Sequence, residues 1–529
     1  MSDIQDVDVL IIGGGINGCG TYRDLCAQGV DCLLLERDDF CGGASGGSSR
    51  LIHGGLKYLE SGEFRLVRES VIERNRLLNN APHYVFALPS IVPLRSRFGG
   101  IWTSIQRFLG RDAKMTDRGS LITRLGLVIY DAFSRRISAL PGHRMLARQR
   151  LDQHVRGLDH GVRYGALYYE GRITHAERLG FELLLDGEDL NPNSTAENHV
   201  DQLEIAGDVV RYRCRGQTHA VRPRVIVNAG GAWIDHVNAA LGIDSQLMGG
   251  SKGAHLVVDH PALHKALNGH MVYFGTADGR VNLVYPFVND RVLVGATDIP
   301  IEDPDSAACD DDERGYLKQV VTEVFPDLRI TDEQIRYTFS GVRPLPRADG
   351  EIGNVTRDHS LVEKTAPGGV PVLCLIGGKW TTFRQFSAEV TDHILARIGR
   401  SRTVATDDMA IGGGQNYPSS GERADWVARH AEQSGLAPER VERLLARYGT
   451  RCVPMLAELP GETPLATLPD YSQEEIDYLT AHERVQTVDD LLRRRTPIAI
   501  GGRLTPAVAD EIAHHVDRFR ASDDAPAHA

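Results

Sequence analysis

No stretch of this chain approaches the ~20 consecutive apolar residues that a membrane-spanning helix requires, so insertion through such a helix is not expected. The eight cysteines (Cys19, Cys26, Cys32, Cys41, Cys214, Cys309, Cys374, Cys452) include no CxxC pair. A zinc site or disulfide framework is therefore not expected, and the compartment reads as reducing. A basic excess is also lacking: the net charge of −12 repels polyanions and argues against general nucleic-acid binding. The opening "MSDIQDVDVLIIGGG" carries acids and breaks its apolar run at Gly13, unlike a signal peptide. No internal repeat with a period of roughly 20 to 50 residues is visible.

What is present fits a soluble α/β enzyme. The chain has 529 residues, 42% hydrophobic and 25% charged, with 55 glycines. That length predicts two or three domains rather than one core.

Val7 to Ile12 is a β-branched run ending in "GGGING", and a helix stopped by Gly29 follows. Gly13, Gly15 and Gly18 give the GxGxxG spacing. The first permits a tight turn, the second lets a pyrophosphate approach the backbone, and the third lets helix pack on strand. The helix N-terminus then faces the phosphates. A second strand, "VDCLLLER", ends in Glu36, placed to bind adenosine ribose hydroxyls. Two later strand-to-glycine units, "RVIVNAGGAW" with Gly230 and "VLCLIGGKWTTFRQFSAEVTDHIL" with Gly378, suggest a discontinuous domain wrapped around an extended FAD. A helix starting near Thr381 and Thr382 aims its NH groups at a bound group such as the pyrimidine side of a flavin.

The ordered series "IIGGGINGCG", "SSRLIHGGLKYLESGEFRLVRES", "NAPHYVFALP", "SKGAHLVV", "LVGATDIP", "SGVRPL", "VTRDHSL" and "GGKWTTFR" resembles the FAD-dependent glycerol-3-phosphate dehydrogenases, of the D-amino-acid-oxidase-like superfamily. The resemblance implies an α/β (α+β) fold: a discontinuous Rossmann-like FAD-binding domain, a mixed-sheet substrate domain and a C-terminal helical domain. It also implies oxidation of sn-glycerol 3-phosphate to dihydroxyacetone phosphate, electrons passed to quinone or oxygen, a peripheral place on the cytoplasmic face of the inner membrane, and a homodimer. On this pattern 1–92, 137–250 and 346–400 are parts of the FAD domain with connecting segments, and 93–136 is a membrane-associating segment of the substrate domain. The substrate domain proper is 251–345, the helical domain 401–520, and 521–529 a disordered tail.

Oxidising a secondary alcohol beside a phosphate needs cations, a base and a positioned flavin. Arg343, Arg357, Lys57 and Tyr58 are the expected phosphate partners, with an Asp349-Gly350 turn bringing both arginines to one face. His255 is the leading base, His53 the second candidate, and Arg343 could instead polarise the hydroxyl. Lys379 is expected close to the flavin, holding alkoxide or N1 charge. Ser45, Ser49, His53 and Gly54 are read as facing FAD, Gly54 by leaving room for backbone approach, while Arg50 has no assigned role. One departure from the family pattern is Gly165, where an acid is expected, with Glu170-Gly171-Arg172 in place of a paired-acid run. If that segment lines the pocket, the preferred substrate could differ from glycerol 3-phosphate, with a tetritol or pentitol phosphate as the alternative.

Pro93 to Arg136 interleaves aromatic and aliphatic residues with nine basic and three acidic ones, a local +6 on a −12 chain. That asymmetry suits an anionic lipid surface and a quinone acceptor within it. An amino-acid oxidase of the same architecture is a weaker reading, since the cations outnumber what a small zwitterion needs. A flavin-bound scaffold without turnover is the reading from another class.

Overall fold

The computed structural model describes residues 4–55, 63–97, 120–134, 140–276, 280–347, 358–459 and 461–521. Lys57, Tyr58, Arg357, the Asp349-Gly350 turn, most of the basic segment and residues 522–529 lie outside the described residues.

The β-branched run near the start forms strand Gln5–Ile12, buried from Val9 onward. Gly13 ends it at φ +111°, a conformation open to glycine. Helix Ile16–Ala27 follows, and Gly29, left-handed at φ +67°, donates to the Cys26 carbonyl at 2.9 Å and turns the chain back. Strand Cys32–Leu35 then lies parallel to the first, Leu35 beside Ile12.

Among the described residues the first sheet has eight strands. Its parallel core runs Pro371–Ile376, Gln217–Asn228, Gln5–Ile12, Cys32–Leu35, Thr195–Glu197, with Ser360–Thr365 antiparallel at one edge. Register puts Ile12 beside both Leu35 and Asn228, and Asn228 beside Cys374. The carboxyl ends of strands far apart in sequence thus meet at one edge, where α/β sheets bind ligands. Helices Ile16–Ala27, Ala176–Leu190 and Phe383–Arg397 cover a core that includes Val9, Ile11, Leu34, Val227 and Leu375.

The second sheet has ten strands among the described residues and is mostly antiparallel. Its longest pair, Met248–Val258 against Ile335–Pro346, sets Ser251 opposite Arg343, Gly253 opposite Gly341 and His255 opposite Phe339. Strands Leu51–Ile52, Val85–Leu94 and Tyr164–Ile173 also belong here. The ranges 1–92 and 137–250 therefore supply strands to both sheets, and the sequence boundaries do not coincide with the sheet boundaries.

From Arg423 to Arg520 the chain is helical around its own core, including Leu444, Tyr448, Ile476 and Ile512.

Candidate active site

Four loops, 13–18, 36–50, 229–231 and 377–382, converge at the carboxyl edge of the first sheet. In the glycine turn, a Cβ on Gly13 would lie 2.6 Å from the Ala229 carbonyl oxygen, and one on Gly18 would overlap the Gly13 carbonyl. Only hydrogen fits at either place, as the spacing predicts. Glu36 accepts hydrogen bonds from the backbone NH of Gly14 at 2.6 Å and of Asp38 at 2.9 Å. Burial raises its carboxyl pKa, and those two NH groups oppose the rise. Gly15 stands at the N-cap of helix Ile16–Ala27, where Ser45 Oγ accepts from the Ile16 NH at 2.9 Å.

The fourth loop, 377–382, closes on the first. Asn17 Nδ2 donates to the Gly377 carbonyl at 3.0 Å, and a Cβ on Gly378, itself at φ +87°, would meet that amide at 2.5 Å. Thr381 Oγ1 accepts from the His53 NH at 3.1 Å and donates to the His53 carbonyl at 3.2 Å. Trp380 Nε1 donates to the Ser45 carbonyl at 2.9 Å. Thr382 is the N-cap of helix Phe383–Arg397, so that helix starts where the sequence predicts, and Lys379 lies half-buried just before it.

These loops fit an extended dinucleotide. The glycine cradle excludes side chains, Glu36 is fixed at the end of the second strand, and a helix N-terminus faces the same edge. Asn17 Oδ1 and Thr382 Oγ1 are buried without a hydrogen bond, which is costly unless a ligand supplies the partner. Gly13, Gly15, Gly18, Glu36, Ser45, Gly230, Gly378, Thr381 and Thr382 could together hold FAD.

The second sheet brings its own groups to the same place. His255 is 2% exposed, its ring stacked on Phe339 at 4.7 Å, and its Nε2 lies 2.7 Å from Ser49 Oγ. Burial, then the nearby Arg343 and Arg50 charges, lower its pKa to about 3, so the imidazole is neutral. Arg343 Nη1 donates to Ser251 Oγ and Asp298 Oδ1, both at 3.1 Å, and Nη2 donates to the Thr297 carbonyl at 2.9 Å. Its guanidinium fills the space that a side chain on Gly253 would take. Asp298 also accepts from Ser251.

A backbone seam joins the two halves. A Cβ on Gly47 would lie 2.5 Å from Gly341 Cα, so the loop carrying Ser45 and Ser49 packs directly on the strand carrying Arg343.

Two sequence readings change. The space beside Gly54 is filled by the Tyr130 ring, and the Gly54 NH donates to Glu170 Oε2 at 3.0 Å, so this glycine serves packing rather than cofactor approach. Gly165 packs against Leu151 of helix Arg148–His154, where a Cβ would lie 2.6 Å from Leu151 Cδ1. It is a packing glycine and gives no ground for an altered pocket. Glu170, in the run after it, is buried with Tyr130 Oη at 2.8 Å and Arg74 Nη1 at 3.4 Å, and burial raises its pKa.

Other residues were missed. Arg50, 1% exposed and at φ +54°, donates from Nη1 to Glu177 Oε2 at 2.7 Å and from Nη2 to Glu177 Oε1. It is a strut under the loop, with no local sequence signal. Asp298 lies in the quoted "LVGATDIP", yet only its placement beside Arg343 gives it meaning.

A dinucleotide cradle completed by a second sheet that carries a histidine and an arginine defines an FAD-dependent oxidoreductase with the D-amino-acid-oxidase-like architecture. Residues 8–384 match the FAD dependent oxidoreductase family, and residues 404–524 match the C-terminal domain of alpha-glycerophosphate oxidase. Glycerol-3-phosphate dehydrogenase of Synechocystis sp. is 33% identical, covering 93% of this chain and 89% of its own. D-erythritol 1-phosphate dehydrogenase of Brucella abortus is 32% identical, covering 94% and 95%. The structure of glycerol-3-phosphate dehydrogenase from Bacillus halodurans complexed with FAD superposes with a TM-score of 0.73 at 22% identity, covering 99% of this chain and 93% of that one. The chain belongs to the FAD-dependent glycerol-3-phosphate dehydrogenase family, and its cofactor is FAD.

Proposed function

We propose that the protein oxidises sn-glycerol 3-phosphate to dihydroxyacetone phosphate and passes the electrons to a membrane quinone. The observation that carries this reading is the Arg343–His255 pair on neighbouring strands, facing the cofactor loops across Ser49 and the Gly47–Gly341 seam.

Bound FAD supplies a two-electron acceptor for the hydrogen leaving C2. Arg343 offers a planar fork to a phosphate or alkoxide oxygen, and Asp298, Ser251 and the Thr297 carbonyl fix its orientation. His255 is in the neutral form that can accept the hydroxyl proton, with Ser49 Oγ holding Nε2. The imidazolium so formed is disfavoured by burial near two arginines, so the dianionic phosphate is needed to offset it. Lys57, Tyr58 and Arg357 are proposed as further phosphate partners on the strength of the motifs alone. Lys379 is proposed beside the flavin pyrimidine edge, and His53 beside its ring as the alternative base.

Membrane docking is proposed through helix Ser120–Ser134. Leu121, Leu125 and Val128, spaced along one face, are 51%, 64% and 49% exposed, and Arg124 beside them is exposed. No helix among the described residues is long and apolar enough to cross a membrane. The family resemblance supports quinone as acceptor, a dimeric state and the cytoplasmic face of the inner membrane.

A second reading keeps the site and takes a longer polyol phosphate, favoured by the similarity to D-erythritol 1-phosphate dehydrogenase. Anaerobic mixing of the holoprotein with glycerol 3-phosphate, erythritol 1-phosphate or a D-amino acid discriminates among these. Glycerol 3-phosphate should bleach the flavin absorbance. Bleaching by erythritol 1-phosphate alone would replace the first reading with the second, and bleaching by none would leave a scaffold.

A further inference from the structure

The C-terminal helical region reaches the cofactor loop through two consecutive arginines. Leu491–Arg495 is a π-helical turn, a widened geometry often found at functional positions. Arg495, fully enclosed, donates from Nη1 to Asp39 Oδ2 at 2.6 Å and from Nη2 to Asp39 Oδ1 at 2.9 Å. Its Nε donates to the Glu483 carbonyl at 2.8 Å, and the guanidinium lies 4.3 Å over the Phe181 ring. Asn198 Nδ2 donates to the same Asp39 carboxylate at 2.8 Å and to the Arg484 carbonyl at 3.0 Å.

Asp39 is three residues beyond Glu36. The next two residues touch the glycine turn: Phe40 occupies the space beside Gly14, and the Cys41 NH donates to the Gly14 carbonyl at 2.9 Å. Arg494 covers the far part of the same loop, its guanidinium 3.6 Å from where a Cβ would stand on Gly42 and on Gly46, and 4.0 Å from Glu177, the partner of Arg50. Residues 36–50, carrying Glu36, Ser45 and Ser49, are thus held between the glycine turn on one side and Arg494 and Arg495 on the other.

We propose that the C-terminal helical region is a working part of the FAD site, with Arg495 as a positioning residue that fixes the 36–50 loop in its cofactor-binding form. A buried bidentate pair of this kind is directional, and it joins two parts of the chain that share no strand. Coupling of this sort is reciprocal, so FAD must in turn order the Arg495 turn.

The test uses the full-length holoprotein. In R495M, dilution and free-flavin fluorescence should show the FAD dissociation constant raised at least tenfold, with R495K intermediate. R495M strands the Asp39 charge and can destabilise the fold for that reason alone. The double variant D39N/R495M, which strands no charge, should therefore recover thermal stability while keeping the raised dissociation constant. A double variant that binds FAD as tightly as the parent overturns the proposal. Hydrogen exchange gives a reading without substitutions: depleting FAD should speed exchange in residues 483–496, and unchanged exchange there also overturns it.

Discussion

At His255, burial beside Arg343 and Arg50 lowers the imidazole pKa from 6.5 to about 3. The unfolded chain therefore binds a proton between those two values that the folded chain refuses, and stability must fall as pH drops through that window. For this one group the loss is about 2 kcal/mol at pH 5. H255Q should flatten the stability curve between pH 6.5 and pH 4 in urea titrations while sharply slowing flavin bleaching by substrate. An unchanged slope would mean that the imidazole is not held neutral. The buried placement of His255 was legible because it alternates with apolar neighbours along a strand. Arg50 was not, because its partner Glu177 lies 127 residues away, and no local pattern records an ion pair formed only in the folded chain.

Among the elements, strands and glycine turns were the most readable. The β-branched runs, the positive-φ glycines and the start of the last cofactor helix all lie where short-range chemistry places them. Packing glycines were misread for the same reason: Gly54 and Gly165 look like functional absences until Tyr130 and Leu151 are seen against them. Helix Ser120–Ser134 connects two environments. Its Leu121, Leu125 and Val128 face outward, while Tyr130 Oη accepts from the Gly54 NH at 3.1 Å and donates to Glu170 at 2.8 Å. Leu125→Glu should reduce flotation with anionic liposomes at low salt and leave the flavin spectrum unchanged, since that side chain touches solvent and not the site. Flotation equal to the parent would remove this helix from the docking surface.

Across the whole molecule, the helical region docks on the body through buried ion pairs rather than a broad apolar face alone. Arg178 Nη1 and Nη2 donate to Glu483 at 2.6 and 2.7 Å, with both side chains nearly enclosed. Removing one partner leaves a buried charge uncompensated, at a cost of roughly 3–5 kcal/mol. E483Q should therefore lower the melting temperature of the entire protein as one calorimetric transition. A separate low-temperature transition with the body unaffected would show that the regions unfold independently. The helices themselves follow apolar spacing, as at Pro438–Tyr448, but their docking leaves no local pattern, because each anchoring pair spans hundreds of residues.

The contact between Gly47 and Gly341 bears on how such a protein can diverge. A methyl group at either position would push one backbone off the other, so drift at one site is tolerated only if its counterpart moves as well. A chimera that borrows the Ile335–Pro346 strand from a relative to change substrate preference inherits this constraint. It has to import the matching loop residue, or the graft will loosen the flavin pocket it was meant to leave untouched.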